Sequence, residues 1–226
     1  IPFGSDNLFP QALIQLNRNS SVHRGIINNK TTYVMGDGVT TEDERVYDWL
    51  QEINGRDEGI DDVLRRVVLD WHVFGNAFVE LVTDRRRSFF AIYHRDASKW
   101  RYNKDRDLLL YHPDWSKYST NKGAAMAYPI YPEFGKVGDD GHLMSVYHFK
   151  QYEPGSEIYG IPQYIAGLNA AGIIYKTDKW NLSRLDNSFK PSGILVIDGI
   201  ESEEDAQTLQ QKFDEAFTGE GNTGKV

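Results

Sequence analysis

The sequence has no cysteine, which removes a disulfide framework, thiolate metal sites and cysteine nucleophiles together. No uninterrupted apolar run approaches the roughly 18 to 20 residues that a membrane helix needs. Positive charge is scarce: 25 Lys and Arg stand against 33 Asp and Glu, a formal net charge of -8. Attraction to phosphate needs a clustered positive footprint, so a general nucleic-acid binder is not expected. Neither an internal repeat nor a low-complexity tract is found. The sequence opens at Ile1 without an initiator Met or a signal-peptide pattern, so trimming or processing and a soluble, cytosolic origin are expected. What is present is enough to fold: 226 residues, 40% hydrophobic and 13% aromatic, suffice for one large domain or two small ones.

The first third has helical period. Phe9 to Asn17 carries Leu13, Ile14 and Leu16; Asn19-Ser20 offers a cap for a second helix through Val22, Ile26 and Ile27. Gly36-Asp37-Gly38 breaks the pattern. Thr41 to Glu44 has capping-box spacing ahead of Val46, Trp49, Leu50 and Ile53. A third run from Ile60 to Phe74 closes at Gly75-Asn76. The period then changes: Ala77–Thr83, Phe89–Tyr93, Trp100–Asn103, Leu108–His112 and Met144–Gln151 read as strands separated by polar turns. Residues 113 to 132 read as a long surface excursion. From Pro162 to about Leu185 the helical period returns, with Ile173, Ile174 and Trp180 widening the apolar stripe. A short strand, Gly193–Ile197, and a helix capped by Ser202 follow. A strand begins at Val226, so truncation is expected there. Helices first and strands afterwards give an α+β class.

Several motifs tempt. Gly219 to Val226 lacks the Ser or Thr that a phosphate-binding loop places after its Lys, and it leaves a helix where such a loop should enter one. A helix-ending loop accounts for it better. His94-Arg95-Asp96 lacks the Asn of a kinase catalytic loop, since Arg101 stands there, and reads as a surface turn. The six histidines show no ligand spacing, and His148 in its apolar strand reads as a hydrogen-bonded structural residue. Asp139-Asp140-Gly141-His142 reads as a solvated hairpin turn, and Arg85-Arg86-Arg87 as a loop tip or a contact with an acidic neighbour or nucleic acid. No Gly-x-Ser-x-Gly elbow or other catalytic constellation stands out.

Six segments in order resemble the portal (head–tail connector) proteins of tailed bacteriophages. They are Leu16–Ile26 leading to Met35–Gly38; Phe74-Gly75-Asn76-Ala77-Phe78-Val79-Glu80; Val146–Phe149; Tyr159-Gly160-Ile161-Pro162; Lys190–Leu195; and Phe217–Gly219 with Asn222–Lys225. The family's Asn-Gly-Ala before the helix-exit Pro is Asn187-Ser188-Phe189 here, and the 113–132 excursion is longer than usual. The resemblance implies a wing-like α+β domain over 1–158, a stem helix over 159–188, and the start of an α/β clip over 189–226 that is incomplete at its C-terminus. It implies no enzyme activity, no cofactor, no metal and no membrane. It implies a ring, generally a dodecamer, at a capsid vertex of the virion, assembled in the bacterial host cytoplasm. Double-stranded DNA would pass through without sequence-specific binding, and terminase large subunit, head–tail adaptors and capsid proteins would dock. An acidic chain suits transit of a polyanion, because each fixed phosphate contact adds friction.

Within that picture Ile165, Leu168, Tyr175, Trp180 and Leu182 are expected between neighbouring stem helices. Lys176, Lys179 and Arg184 are expected at the channel or its rim, and Glu201, Glu203, Glu204 and Lys212 on the partner-docking clip. The rival readings are a carboxylate-dependent hydrolase or nucleotide-binding enzyme using the glycine-rich end, and an α+β interaction module without a channel.

Overall fold

Helix limits at the start of the chain follow their caps. Helix α1 (Phe9–Asn19) takes Pro10 in its first turn, where the missing N–H costs nothing. The Ser20 hydroxyl accepts from the His23 N–H to start α2 (Ser21–Met35), which stops at Gly36 with φ 50°. Helix α3 (Glu44–Gln51) is capped by Asp43, whose carboxylate accepts from the Arg45 and Val46 N–H groups; Thr41 instead accepts from the Asp43 N–H. Helix α4 (Ile60–Phe74) ends on Gly75 in the left-handed region at φ 68°. The computed structural model describes residues 1–84, 89–136, 142–187 and 203–217.

Strands β1 (Asn76–Thr83), β2 (Phe89–Arg95), β3 (Trp100–Tyr102), β4 (Leu108–Tyr111), β5 (Met126–Pro129), β6 (Gly135–Lys136) and β7 (Leu143–Lys150) follow. They form two antiparallel sheets, ordered β2-β1-β7-β6 and β3-β4-β5. Alternation along the buried β1 divides the core. Phe78 enters a cluster with Leu13, Ile27, Phe74, Trp100, Leu109 and Val146. Ala77 and Val79 enter a second cluster with Leu50, Ile53, Val63 and Val67 from α3 and α4. The α+β class stands.

The chain divides into two units, Ile1–Leu168 and Asn169–Val226. The first unit thus includes residues 159–168. Helix α5 (Leu168–Asn187) begins later than its apolar period, after a 3₁₀ turn over Ile165–Gly167, because residues 159–164 are held in non-helical backbone described below. Helix α6 (Glu203–Phe217) belongs to the second unit.

Other differences from the sequence reading have local causes. The 113–132 excursion contains two 3₁₀ turns and β5. It folds back because the buried Trp115 donates its indole N–H to the Lys99 carbonyl at 2.8 Å. Val22 and Ile26 of α2, and Val46 and Trp49 of α3, point outward, while Ile27 and Leu50 carry the packing. His94 and Arg95 are strand residues, not a surface turn: His94 pairs with Asp70 at 2.8 Å and Arg95 with the buried Glu80. The expected features at 85–87, 139–141, 193–197 and 219–226 lie outside the described residues.

Candidate functional site

Two of the resembling motifs, 84 residues apart, meet in the first unit. Asn76 is fully buried at the start of β1, immediately after the α4 stop. Its amide donates to the carbonyls of Phe74 and Gly160, both at 2.8 Å. Its side-chain oxygen accepts from the Gly160 N–H at 2.6 Å and from His148 Nε2 at 2.9 Å. All four hydrogen-bonding positions of the side chain are therefore filled. The Gly75 carbonyl meanwhile accepts from the Gln151 N–H at 2.8 Å. Backbones come so close that a Cβ on Gly160 would lie 1.9 Å from the Gly75 oxygen, and one on Gly75 would lie 2.5 Å from the Ile161 carbonyl carbon. Only glycine fits at either position.

The network continues outward. With Nε2 donating, His148 accepts at Nδ1 from the Tyr102 hydroxyl at 2.8 Å, and its ring stacks on Phe78 at 4.3 Å. The Tyr159 hydroxyl accepts from the Tyr102 N–H and donates to the Ile1 carbonyl, and its ring stacks on Phe3. Tyr164 donates to the Val73 carbonyl at 2.5 Å and meets His23 edge-on. Burial holds the His148 pKa down at about 3 and pushes Tyr159 up to about 12, so both are neutral at ordinary pH. This clasp ties residues 159–164 to the end of α4, and so fixes where α5 begins.

The charged groups nearby are structural. Arg101, the buried middle residue of β3, donates to Asn7 and to the Ser98 and Trp100 carbonyls, with no carboxylate partner among the described residues; burial lowers its pKa to about 10, so it stays charged. Burial raises the Asp70 pKa, against the pull of the His94 pair. Among the described residues no group of three or more His, Asp or Glu has the arrangement of a metal site, and no helix is long and apolar enough to cross a membrane.

The expected stem residues lie on or just before α5, and the expected clip residues on or near α6. Ile165 is half-buried in the 3₁₀ turn, and Leu168 packs against the first core cluster of its own unit. Tyr175 is half-exposed, while Trp180 (57%), Leu182 and Leu185 (71%) are exposed. At about 100° per residue, Leu168, Tyr175 and Leu182 share one side and Ile173 and Trp180 another, roughly 140–160° around. The apolar surface is two-sided, not the single stripe that the spacing implied. Lys179 lies over the Tyr175 ring at 5.3 Å and Arg184 over the Trp180 ring at 4.5 Å, so these cations share the aromatic sides. Lys176 is exposed. Glu203, Glu204 and Lys212 are exposed on α6; Glu201 lies outside the described residues.

The sequence reading had singled out both halves of the clasp, Phe74–Glu80 and Tyr159–Pro162, but not their contact. Tyr102 does not stand out in the sequence, and Tyr159 does so only as part of its motif, not through its contacts. No local signal marks these contacts, since the partners are backbone groups and residues 46 to 158 positions away.

A family model described as "Phage portal protein" matches residues 27–226. An uncharacterized protein of Rickettsia bellii (strain RML369-C) is 29% identical over 167 residues, covering 73% of this chain and 40% of that protein. One from Rickettsia felis (strain ATCC VR-1525 / URRWXCal2) is 26% identical over 179 residues, covering 78% and 43%. The chain therefore spans well under half the length of these relatives. Among solved structures, a chain in "Virion of native gene transfer agent (GTA) particle" matches with TM-score 0.63 at 16% identity, covering 95% of this chain and 57% of that one. A chain in "Neck of native GTA particle computed with C12 symmetry" matches with TM-score 0.57 at 15% identity, covering 95% and 57%. At such identities the likeness is one of fold.

Proposed function

The chain belongs to the phage portal protein family and is a portal-like structural protein, and on that premise we propose that it is the wing, stem and first clip segment of a ring subunit at the portal vertex of a phage-like particle. Copies of it close into a cyclic ring, of twelve if it follows the C12 symmetry of the similar neck structure. DNA passes through the axial channel during packaging and ejection, terminase large subunit docks on the clip, and head–tail adaptors later take the same end. Capsid proteins surround the ring in the virion, after assembly in the host cytoplasm.

One observation carries this reading: α5 presents exposed apolar side chains on two opposed sides. A helix that buries one face against its own domain needs one stripe. A helix standing in a closed ring has a neighbour on each side, and the two contacts are made by different surfaces of the same chain. Tyr175 and Leu182 would then face one neighbour, and Ile173 and Trp180 the other. Trp180→Asp in the full-length protein should shift the sedimenting species from ring to monomer while leaving the far-UV spectrum intact. A wild-type protein that sediments as a monomer would contradict the reading.

A further inference from the structure

The 226 residues contain one Asn-Gly pair, Asn54-Gly55, in the turn that follows α3. That pair is chemically labile in an unfolded chain, because glycine has no Cβ to shield its amide nitrogen from the asparagine side chain. In the reaction the Gly55 nitrogen gives up its proton and bonds to the Asn54 Cγ. The Cγ–Nδ2 bond breaks, and that nitrogen takes up a proton and leaves as ammonia. Water then opens the cyclic imide to aspartate or to isoaspartate. The fold opposes each part of this sequence. The Gly55 N–H donates to the Tyr93 hydroxyl at 3.3 Å, so the attacking nitrogen is engaged elsewhere. Asn54 is only 5% exposed. Its Nδ2 donates to Glu58 Oε2 at 3.0 Å and to the Ile92 carbonyl at 2.9 Å, and its Oδ1 accepts from the Arg56 N–H at 2.9 Å. The leaving nitrogen thus faces two acceptors. Glu58, held ionised by its hydrogen bond from Arg66, has no proton to give it.

We propose that Asn54-Gly55 is a latent modification site, a deamidation-prone pair that the Tyr93 hydroxyl and the anchored Asn54 amide keep unreacted while the chain is folded. The site does not depend on the ring. Its conversion has a structural consequence, because β2 is an edge strand of its sheet and residues 53 and 54 cover it at Ile92. The Ile92 N–H donates to the Ile53 carbonyl at 3.2 Å, while the Ile92 carbonyl accepts from Asn54. An aspartate at 54 has no N–H to offer that carbonyl and sets a second carboxylate against Glu58. Deamidation therefore unties the turn after α3 from β2.

The test holds full-length protein at mildly alkaline pH, native or in denaturant, and reads conversion by mass spectrometry of the tryptic peptide spanning residues 46–56. Tyr93→Phe keeps the ring under Arg56 and Arg95 and removes only the hydroxyl. The expected result is slow conversion in native wild-type protein and fast conversion in the denatured chain. Native Tyr93→Phe should convert ~2- to 13-fold faster than native wild type, the factor that one hydrogen bond of about 0.5–1.5 kcal/mol is worth. Native wild-type protein converting as fast as the denatured chain would overturn the proposal, and so would Tyr93→Phe converting no faster than wild type. Should the far-UV spectrum show Tyr93→Phe unfolded, the native and denatured wild-type rates alone decide.

Discussion

Asn76 shows how one side chain can join elements that are far apart in sequence. It faces the α4 stop, β7 and the segment before α5 at once, and any replacement leaves at least one buried polar group without a partner, at about 1–3 kcal/mol each. The same network makes His148 a sensitive reporter. Its pKa is near 6.5 in the unfolded chain and about 3 in the fold, with burial the main cause and Lys150 a lesser one. Between those values the unfolded state binds the extra proton, so this contribution to stability falls as pH drops below 6.5, by about 1.4 kcal/mol per pH unit. Burial lowers the His23 and His72 pKa values in the same direction. His148→Gln should therefore flatten, not abolish, the loss of stability between about pH 6.5 and 5, read by denaturant titration at a series of pH values. An unchanged slope would mean that His148 is not the buried neutral group described.

At the scale of elements, α5 couples cations to aromatic sides, since Lys179 covers Tyr175 and Arg184 covers Trp180. We propose Lys176 and Lys179 for the channel or its rim. Reversing both to Glu should leave the ring mass unchanged and reduce DNA packaged per particle, measured by nuclease-protected DNA; unaltered packaging would remove them from the channel. How much of the elements was legible depended on what marks their ends. Helix α4 was read to its last residue because Phe74-Gly75 combines the end of an apolar period with the one residue that takes φ 68° freely. Strand β5 was not, because its four residues include Pro129 and an exposed Met126 and carry no alternation. The spacing of Val22, Ile26 and Ile27 marks α2 as a helix, but helical spacing does not say which side is covered: Ile27 is buried while Val22 and Ile26 are exposed. The clasp is legible only as two motifs; the Asn76 side chain joins them through the backbone of Gly160, and a partner that is backbone leaves no mark in the sequence.

For the whole molecule, a subunit whose helix α5 carries exposed apolar side chains on two sides is suited to being flanked by copies of itself. The relatives that it matches are more than twice the length that it spans, so the assembly belongs to the full-length protein. Single-particle electron microscopy of that protein, purified without other phage components, tests the claim most directly. The account predicts closed rings with a central opening, a single rotational symmetry, and α5 in the wall around the opening. Isolated monomers or two-fold dimers with α5 covered by their own chain would contradict it.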